Sequence, residues 1–276
     1  SICGTAGYNR VGGTAPGERN VISGNEGSGI SLNGEDLVGN LILGNLIGTD
    51  VGGQRPLANG TGVSLDGATR HNIIGGSTAA EANVISGNIT GISLRNAGIE
   101  NTFILGNRIG TDRSGAVAIG NADTGIWLED YAQRTIVQGN TVACSGGAGV
   151  AIIVGERNTL RRNAIYANGG PGIDLRQGGN GMLAAPTLEC VTPWPIIGTA
   201  CPGCTVEIFS DAEDEGRLYE GTTLADATGH FAFARPGRLT GPYLTATATD
   251  AAGNTSEFSA PVGLNRLWLP VIRRTR

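Results

Sequence analysis

Aliphatic residues stand at every second position in many short runs along the first 175 residues of the chain. One run has the form Gly-aliphatic-x-Leu, with Ile once in place of Leu. Its first aliphatic residue falls at Ile30, Val63, Ile92, Ile126, Val150 and Ile173. Alternation with a period of two predicts β-strands that bury one face. Two further runs lie between successive members, so each unit is predicted to hold three short strands separated by turns.

Longer phrases of the chain repeat as well. Asn-Val-Ile-Ser-Gly-Asn occupies residues 20–25 and returns unchanged at residues 83–88. A unit of three short strands cannot bury its apolar side alone, and stacked units bury it against their neighbours. The pattern therefore predicts an all-β fold whose first part, residues 10–175, is a parallel β-helix of about six coils.

Stacking in register predicts columns of like residues. Two inward columns begin at Ile30 and at Leu32, two residues apart along each strand. The second inward column is Leu32, Leu65, Leu94, Leu128, Ile152 and Leu175. The column between them should face outward and consists of Ser31, Ser64, Ser93, Trp127, Ala151 and Asp174.

Polar residues that end the strands are predicted to form one corner of the coil. The corner would hold Asn25, Asp50, Asn88, Asp112, Ser145 and Asn168. Stacked amides can hydrogen-bond from coil to coil, and Asn also suits tight turns, so a structural role is favoured over metal or sugar binding. Asp50 and Asp112 are the exceptions, because carboxylates in this position are also candidate ligands.

Past Leu175 the repeat stops and a Gly-rich linker follows. Alternating runs then continue to about residue 262 without the Gly-Asn phrases. Short strands at regular spacing predict a small β-sandwich. The predicted division is residues 1–183 for the β-helix, 184–262 for the sandwich and 263–276 for an apolar, arginine-containing tail.

Composition limits the function classes. The chain has 47 glycines in 276 residues, 16% charged residues and a net charge of −5, and all 19 basic residues are arginine. The acidic balance argues against a nucleic-acid partner. No apolar run is long enough to span a bilayer, so no membrane span is predicted.

Residues 248–256, together with 205–209 and 229–231, resemble bacterial immunoglobulin-like modules. The resemblance implies a spacer or cap. Some modules of this kind bind calcium through acidic loops, for which Asp211, Asp214 and Asp250 are the candidates, although a solvated turn explains the same residues. No other cofactor is expected.

Gly-Gly-Thr-Ala-Pro-Gly at residues 12–17, leading into residues 20–25, resembles the secreted right-handed parallel β-helix proteins, which share their broad fold with pectate lyases. The resemblance is to a non-catalytic surface-protein subgroup. It implies a bacterial protein located outside the cell or at the cell surface. A shared fold does not transmit an activity, so function has to be argued from a site.

Catalytic signatures of related enzymes are missing. The chain lacks the Asp-Asp and Gly-His-Gly signatures of polygalacturonases and the Asp-Pro-His-Glu motif of alginate epimerases. Its two histidines, His71 and His230, lie far apart in the sequence. We therefore predict no catalytic residue, and an enzyme is the less favoured interpretation.

Five cysteines indicate an oxidising compartment: Cys3, Cys144, Cys190, Cys201 and Cys204. Cys201 and Cys204 have CxxC spacing, which suits a small disulfide loop, a redox pair or half of a zinc site. No second CxxC motif or nearby histidine completes a metal set, so structural pairing is favoured. Cys190 is an alternative partner for either cysteine.

Carboxylates and aromatic residues come together in sequence at Trp127, Glu129, Asp130 and Tyr131. Trp127 is predicted to point outward, because Ile126 and Leu128 occupy inward positions. An exposed indole beside carboxylates can stack on a sugar ring or fill a protein interface.

The two ends of the chain suggest assembly. Only residues 1–9 precede the first predicted strand, which leaves the first coil without a cap. The tail carries apolar residues that need burial, namely Trp268, Leu269, Val271 and Ile272. We predict a structural protein that associates with copies of itself, head-to-tail, through these two features. The alternatives are a polysaccharide-binding or polysaccharide-cleaving protein that uses the flank near Trp127, and an adhesin.

Overall fold

The computed structural model describes residues 1–190, 195–235 and 239–264. Within these ranges the regular structure consists of strands and two short 3-10 segments, Pro16–Glu18 and Gly179–Met182. The predicted all-β fold is confirmed.

The first part of the chain forms three parallel sheets, here named A, B and C. Sheet A has seven strands: Ile2–Cys3, Ser28–Asn33, Thr61–Asp66, Thr90–Arg95, Ile126–Glu129, Val150–Ile153 and Ile173–Arg176. Sheet B has six: Arg10–Gly12, Leu41–Leu43, Ile73–Gly75, Phe103–Leu105, Ile136–Gln138 and Thr159–Arg161. Sheet C also has six: Val21–Ile22, Leu46–Ile47, Val84–Ile85, Arg108–Ile109, Thr141–Ala143 and Ala164–Tyr166. The chain visits A, B and C in turn, which makes a parallel β-helix.

The first coil begins earlier than the sequence predicts. Ile2–Cys3 pairs in parallel with Leu32 and Asn33, so sheet A has a strand before Arg10. The alternation could not show this strand because it is only two residues long. A further short pair, Leu37–Val38 with Thr69–Arg70, extends the turn between sheets A and B.

The predicted register of sheet A is confirmed. Ile30, Val63 and Ile92 pair in sequence, and Leu32, Leu65 and Leu94 pair beside them. The same two columns continue through Ile126 and Leu128 to Ile173 and Leu175. All of these side chains are buried in one core that runs along the helix. The column between them is also in the predicted register, with Trp127 paired to Ser93 and to Ala151, but three of its members are buried rather than exposed, namely Ser93, Ala151 and Asp174.

Antiparallel sheets follow the β-helix. One sheet has the strand order Thr187–Cys190, Ile196–Thr199 and His230–Phe233. The other has the order Leu218–Leu224, Thr205–Asp211, Tyr243–Thr249 and Val262–Gly263. Ile196, Phe231, Val206 and Leu244 join the two sheets in a second core. This antiparallel module supports the expected sandwich, while the division at residues 183 and 262 stays a prediction.

Among the described residues, no helix has the length and hydropathy needed to cross a bilayer.

The buried column should dominate stability. Leu94 is 0% exposed and touches neighbours in the coils on both sides. Replacing Leu94 with Ala should lower the free energy of unfolding by ~3 kcal/mol, because a cavity forms in a core that packs from both directions. Thermal or urea unfolding followed by circular dichroism measures the loss. Leu43→Ala, on the half-exposed outer side of sheet B, is the control and should cost less than half as much.

Candidate functional site at the ends of the coil stack

A ladder of asparagine side chains lies at the corner between sheets B and C. Its members are Asn20, Asn45, Asn83, Asn107, Asn140 and Asn163. Each Nδ2 donates to the Oδ1 of the next coil, for example over 2.9 Å from Asn83 to Asn107. The backbone N–H of the same residue donates to that oxygen as well. The second Nδ2 hydrogen goes to a carbonyl of the coil before, so the buried amides are fully bonded.

Glycine before this corner gives the ladder its space. Gly75 has a φ of +86°, and a Cβ there would collide with the Oδ1 of Asn107 and the carbonyl of Leu105. Glycine at this position therefore serves the coil-to-coil contact as well as the turn.

The corner between sheets C and A differs from the prediction. Its ladder runs through Asn25, Asn59, Asn88 and Asn121, and Ser145 then donates its N–H to Asn168 Oδ1. The predicted members Asp50 and Asp112 are wrong for this column, because the longer coils insert a loop before the corner. That loop begins and ends in short antiparallel bridges, Thr49 with Pro56 and Thr111 with Ala118.

Asp50 and Asp112 instead hold the inserted loops. Asp50 accepts hydrogen bonds from the backbone of Gln54 at 2.9 Å and of Arg55 at 3.2 Å. These bonds keep the pKa of Asp50 below its usual value. Asp112 accepts equivalent bonds from Ala116 and Val117. Both carboxylates therefore have a structural role that turn chemistry explains.

A third ladder, not predicted from the sequence, lies between sheets A and B. Asn9, Asn40 and Asn72 bond to one another, and Asn158 and Asn180 occupy the last coils. Thr102 and Thr135 interrupt the ladder, and their buried hydroxyls have no hydrogen-bond partner among the described residues. The 32-residue interval between Asn40 and Asn72 is the sequence feature that could have predicted this ladder.

At the C-terminal end of the stack, carboxylates of the antiparallel module take the place of the next coil. Asn168 donates its Nδ2 to Glu215 Oε1 at 3.0 Å and its N–H to Oε2 at 3.2 Å. Arg162 N–H donates to Glu207 at 2.8 Å, and Leu175 N–H donates to Glu257 at 2.8 Å. Each carboxylate accepts a hydrogen bond from the last coil. If a further coil followed, its amide or carbonyl oxygens would accept these bonds instead.

Backbone and apolar contacts complete this cap. Ile165 and Gly216 exchange backbone hydrogen bonds of 3.1 and 2.9 Å. Thr255 accepts from Leu160 N–H through its hydroxyl and from Asn180 Nδ2 through its carbonyl. The side chain of Phe258 packs against the core of the β-helix. The exposed edge that a stack of strands would leave is therefore covered.

Burial changes the acid–base behaviour of the cap. Removal from water raises the pKa of Glu215 to about 6, against the hydrogen bonds from Asn168, which act in the opposite direction. Burial also raises the pKa of Glu207, and the neighbouring Arg162 partly offsets that rise. Burying the carboxylates of Glu215 and Glu207 at this interface therefore costs free energy.

At the opposite end of the stack, the strands of the first coil are the outermost strands of their sheets among the described residues. Ile2, Val11 and Ile22 stand in the core columns of Leu32, Ile42 and Ile47, yet all three are only partly buried. The Oδ1 atoms of Asn9, Asn20 and Asn25 begin the three ladders, and no donor among the described residues reaches them. A shallow, open surface cavity lies here, lined by Arg10, Val11, Gly12, Glu18, Arg19, Asn20, Val21 and Ile22. We call this surface the open end.

The Trp127 cluster lies away from both ends. Trp127 and Glu129 are on the outer face of sheet A, and Asp130 and Tyr131 form the turn that follows, with φ of 51° and 66°. Glu129 pairs with Arg95 at 3.1 Å. Trp127 is half-buried, and its indole N–H is buried without a partner among the described residues.

The calcium candidates do not form one site. Asp250 accepts from the N–H and Nδ2 of Asn254 and so holds a turn. Asp211 is 6% exposed and accepts from Ala212 N–H, while Asp214 is exposed. Over residues 1–190, 195–235 and 239–264, no group of three or more His, Cys, Asp or Glu side chains is placed to hold a metal ion.

Cys201 and Cys204 form a disulfide that closes a tight loop. Cys3 and Cys144 are free thiols. The side chain of Cys190 lies outside what the structure describes, as do the assembly candidates Trp268, Leu269, Val271 and Ile272.

Removing one rung should show how much the ladders contribute. Asn107→Ala leaves the buried donors of Asn83 and acceptors near Asn140 without partners, so we expect a loss of ~3 kcal/mol in unfolding free energy. The measurement is urea unfolding followed by circular dichroism. The exposed Asn33→Ala is the control, and an equal, small effect of both changes would show that the ladder contributes little.

Glu215 should make the cap sensitive to pH. Its pKa is raised in the folded protein, so its stabilising contribution is present below about pH 4.5 and is lost as the pH rises through about 6. Glu215→Gln removes that titration while keeping one acceptor for Asn168. The melting temperature of the variant minus that of the original protein should therefore rise by about 3 °C between pH 4.5 and 7. For the exposed Glu156→Gln the difference should stay constant.

Comparison with known proteins gives one family match. Residues 58–184, slightly less than half of the chain, match the model of the family described as periplasmic copper-binding protein (NosD). No curated protein matches the chain.

The copper in that description can be tested against the donors of this chain. Copper in proteins is held by His, Cys and Met side chains. The structure places His71 in the turn between sheets A and B of the third coil and His230 in the antiparallel module. With no suitable cluster in the described part of the chain, its residues do not fit a copper centre. The matched segment covers the third to the last coil, and on its strand order and register the chain is a parallel β-helix repeat protein.

Proposed function

We propose that the protein is a structural β-helix module that works outside the cytoplasm and associates with further copies of itself. The observation that carries the proposal is that the buried polar groups of the described coils serve the fold. Asparagine ladders join the coils, and carboxylates of the antiparallel module pair with the last coil.

The cap on the last coil restricts how two copies can meet. Direct stacking of the last coil of one copy on the first coil of another is blocked, because each last coil already bonds to its own antiparallel module. In the proposed assembly, the first coil of one copy meets the far side of that module, or the residues after Leu264, in the next copy. Such a contact joins two different surfaces and propagates head-to-tail unless it closes into a ring.

Two observations support the location. The Cys201–Cys204 disulfide is typical of proteins in oxidising compartments. The family that matches residues 58–184 is described as periplasmic. Together they favour a site outside the cytoplasm, in the periplasm or at the cell surface.

A structural role also agrees with what the buried carboxylates do. Glu207, Glu215 and Glu257 each accept hydrogen bonds from the backbone or amide of the last coil. Catalytic carboxylates need to face a substrate, and these three face the fold itself. Polysaccharide binding beside Trp127 stays a separate prediction, which Trp127→Ala and Asp130→Ala would test on a glycan array.

Self-association should depend on the open end. Val21 lies in the first strand of sheet C and is 44% exposed. Val21→Arg places a charge at the rim of the cavity, where an apolar partner would have to desolvate it, and should weaken association at least ~30-fold. Sedimentation velocity from 1 to roughly 100 μM, a range that covers typical micromolar affinities, gives the equilibrium.

Val117→Arg is the matched control, since Val117 is 47% exposed in an inserted loop. It should associate as the original protein does. A chain of residues 1–276 that stays monomeric across the whole range would contradict the proposed function.

A further inference from the structure

We propose that two copies of the protein pack side by side through the outer faces of sheet B, with their coil stacks antiparallel. The two-fold axis runs parallel to the strands and lies between the third and fourth coils. This contact is separate from the end-to-end contact of the proposed function. Its position is set by side chains of the middle coils and does not depend on where the stack begins or ends.

The outer face of sheet B is apolar in four successive coils. Its outward side chains there are Leu41, Leu43, Ile73, Phe103, Leu105 and Ile136, and all six are partly exposed. The register of the sheet stacks Ile73 directly between Leu41 and Phe103, so the side chains form a continuous row along the stack. A contiguous apolar patch on a protein surface is typical of an interaction site.

The other two flanks of the β-helix differ from this one. Sheet A turns polar side chains outward in most coils, for example Ser64 and Asp66. In sheet C the outward residues Leu46 and Val84 are buried, and Gly53 of an inserted loop lies beside Leu46. Among the described residues, sheet B is therefore the flank whose outward apolar rows have no cover.

A second copy supplies a matching cover for this face. The face is flat, because short parallel strands stack at one constant spacing of ~4.8 Å. Flat sheets pack face to face at a distance of ~10 Å, with the side chains of the two inner faces interdigitating. The same sheet in another copy has the same spacing, so its rows keep step with these rows along the whole contact.

The apolar rows are symmetric about the proposed axis. An axis between the third and fourth coils places Ile73 of one copy opposite Phe103 of the other. It also places Leu41 of the second coil opposite Ile136 of the fifth. Each contact occurs twice, once on either side of the axis, as an isologous interface requires.

Charges at the edge of the face fit the same axis. Arg70 and Glu100 occupy equivalent positions in the third and fourth coils, in the turn that enters sheet B. The axis therefore brings Arg70 of each copy to Glu100 of the other, and two ion pairs form in one dimer. Arg70 is exposed and only loosely paired in its own copy, since Asp36 lies 3.9 Å away.

The end of the face decides between antiparallel and parallel packing. Arg157 and Arg161 of the sixth coil are both exposed, and parallel stacks would bring the arginines of two copies to the same end. Antiparallel stacks direct them to the first coil of the other copy, where Tyr8 is 83% exposed. Arg157 lines a shallow cavity with Ile136 and Ala252, so a guanidinium group is placed there to stack on the phenol ring.

The size of the face predicts a weak dimer. Five coil spacings and a strand with its entry turn give a face of ~24 by ~16 Å, or ~400 Å² in projection. A standard stable interface buries about 800 Å² on each partner. We therefore expect a dissociation constant of roughly tens of micromolar, which rises in importance where chains are also joined end to end.

Two charge reversals test the axis, in chains that also carry Val21→Arg to remove the end-to-end contact. Arg70→Glu leaves only carboxylates at the two ion pairs, and Glu100→Arg leaves only guanidinium groups. Each variant alone should dimerise at least ~10-fold more weakly in sedimentation velocity, because like charges meet twice. Mixed in equal amounts, the two variants should associate with each other about as strongly as the parent chain, since every carboxylate then meets an arginine.

Glu129→Arg is the matched control. Glu129 pairs with Arg95 at 3.1 Å on sheet A, as Glu100 pairs with Arg134 at 3.2 Å, and the two glutamate side chains are 26% and 29% exposed. The control should dimerise as the parent chain does. If the two reversed variants stay apart when they are mixed, the proposed axis is wrong.

The apolar rows have a test of their own. Phe103→Arg places a charge at the centre of the contact and should weaken dimerisation at least ~30-fold, whereas Trp127→Arg on sheet A should leave it unchanged. If the original protein associates and Phe103→Arg has no effect, this inference is wrong and the proposed function stands. If Val21→Arg leaves association intact and Phe103→Arg abolishes it, the end-to-end contact is wrong and the two-fold dimer stands.

Discussion

The rest of the structure depends on one constraint: the buried amide groups of the asparagine ladders all need hydrogen-bond partners. In the ladder between sheets B and C, each amide oxygen inside the stack accepts two bonds from the coil before, and the same residue donates two bonds to the coil after, so this ladder has a direction. Donors accumulate at its last coil and acceptors at its first. A directional ladder cannot end without leaving buried polar groups unpaired, which is costly away from water. The two ends of the stack therefore pose opposite chemical problems.

At the donor end the chain solves the problem itself. Three carboxylates and two backbone segments of the antiparallel module meet the N–H and Nδ2 groups of the last coil, and Phe258 covers the core. Using carboxylates as acceptors costs free energy of folding, because burial disfavours their charged form and raises the pKa of Glu215 and Glu207. The acceptor end has no equivalent among the described residues.

The sequence predicts those parts of the fold that repeat. The columns of Ile30 and Leu32 follow from period-two alternation, because one slip of register would turn every aliphatic side chain outward. Asp50 and Asp112 were misplaced because the inserted loops resemble strand ends in sequence, and only the stacking reveals Asn59 and Asn121 as the ladder members. The cap was beyond prediction, since Glu215 lies 47 residues from Asn168 and has no repeat to mark it.

Hydrogen exchange of single amides at two protein concentrations tests the central claim most directly. If the open end is the docking surface, the N–H of Val21 should exchange quickly in dilute solution and become protected when the protein is concentrated. The N–H groups of Arg162, Asn168 and Leu175, which bond to the carboxylates of the cap, should be protected at both concentrations. Fast exchange at Val21 under conditions where the protein is associated would contradict the account, because the copies would then be meeting through another surface.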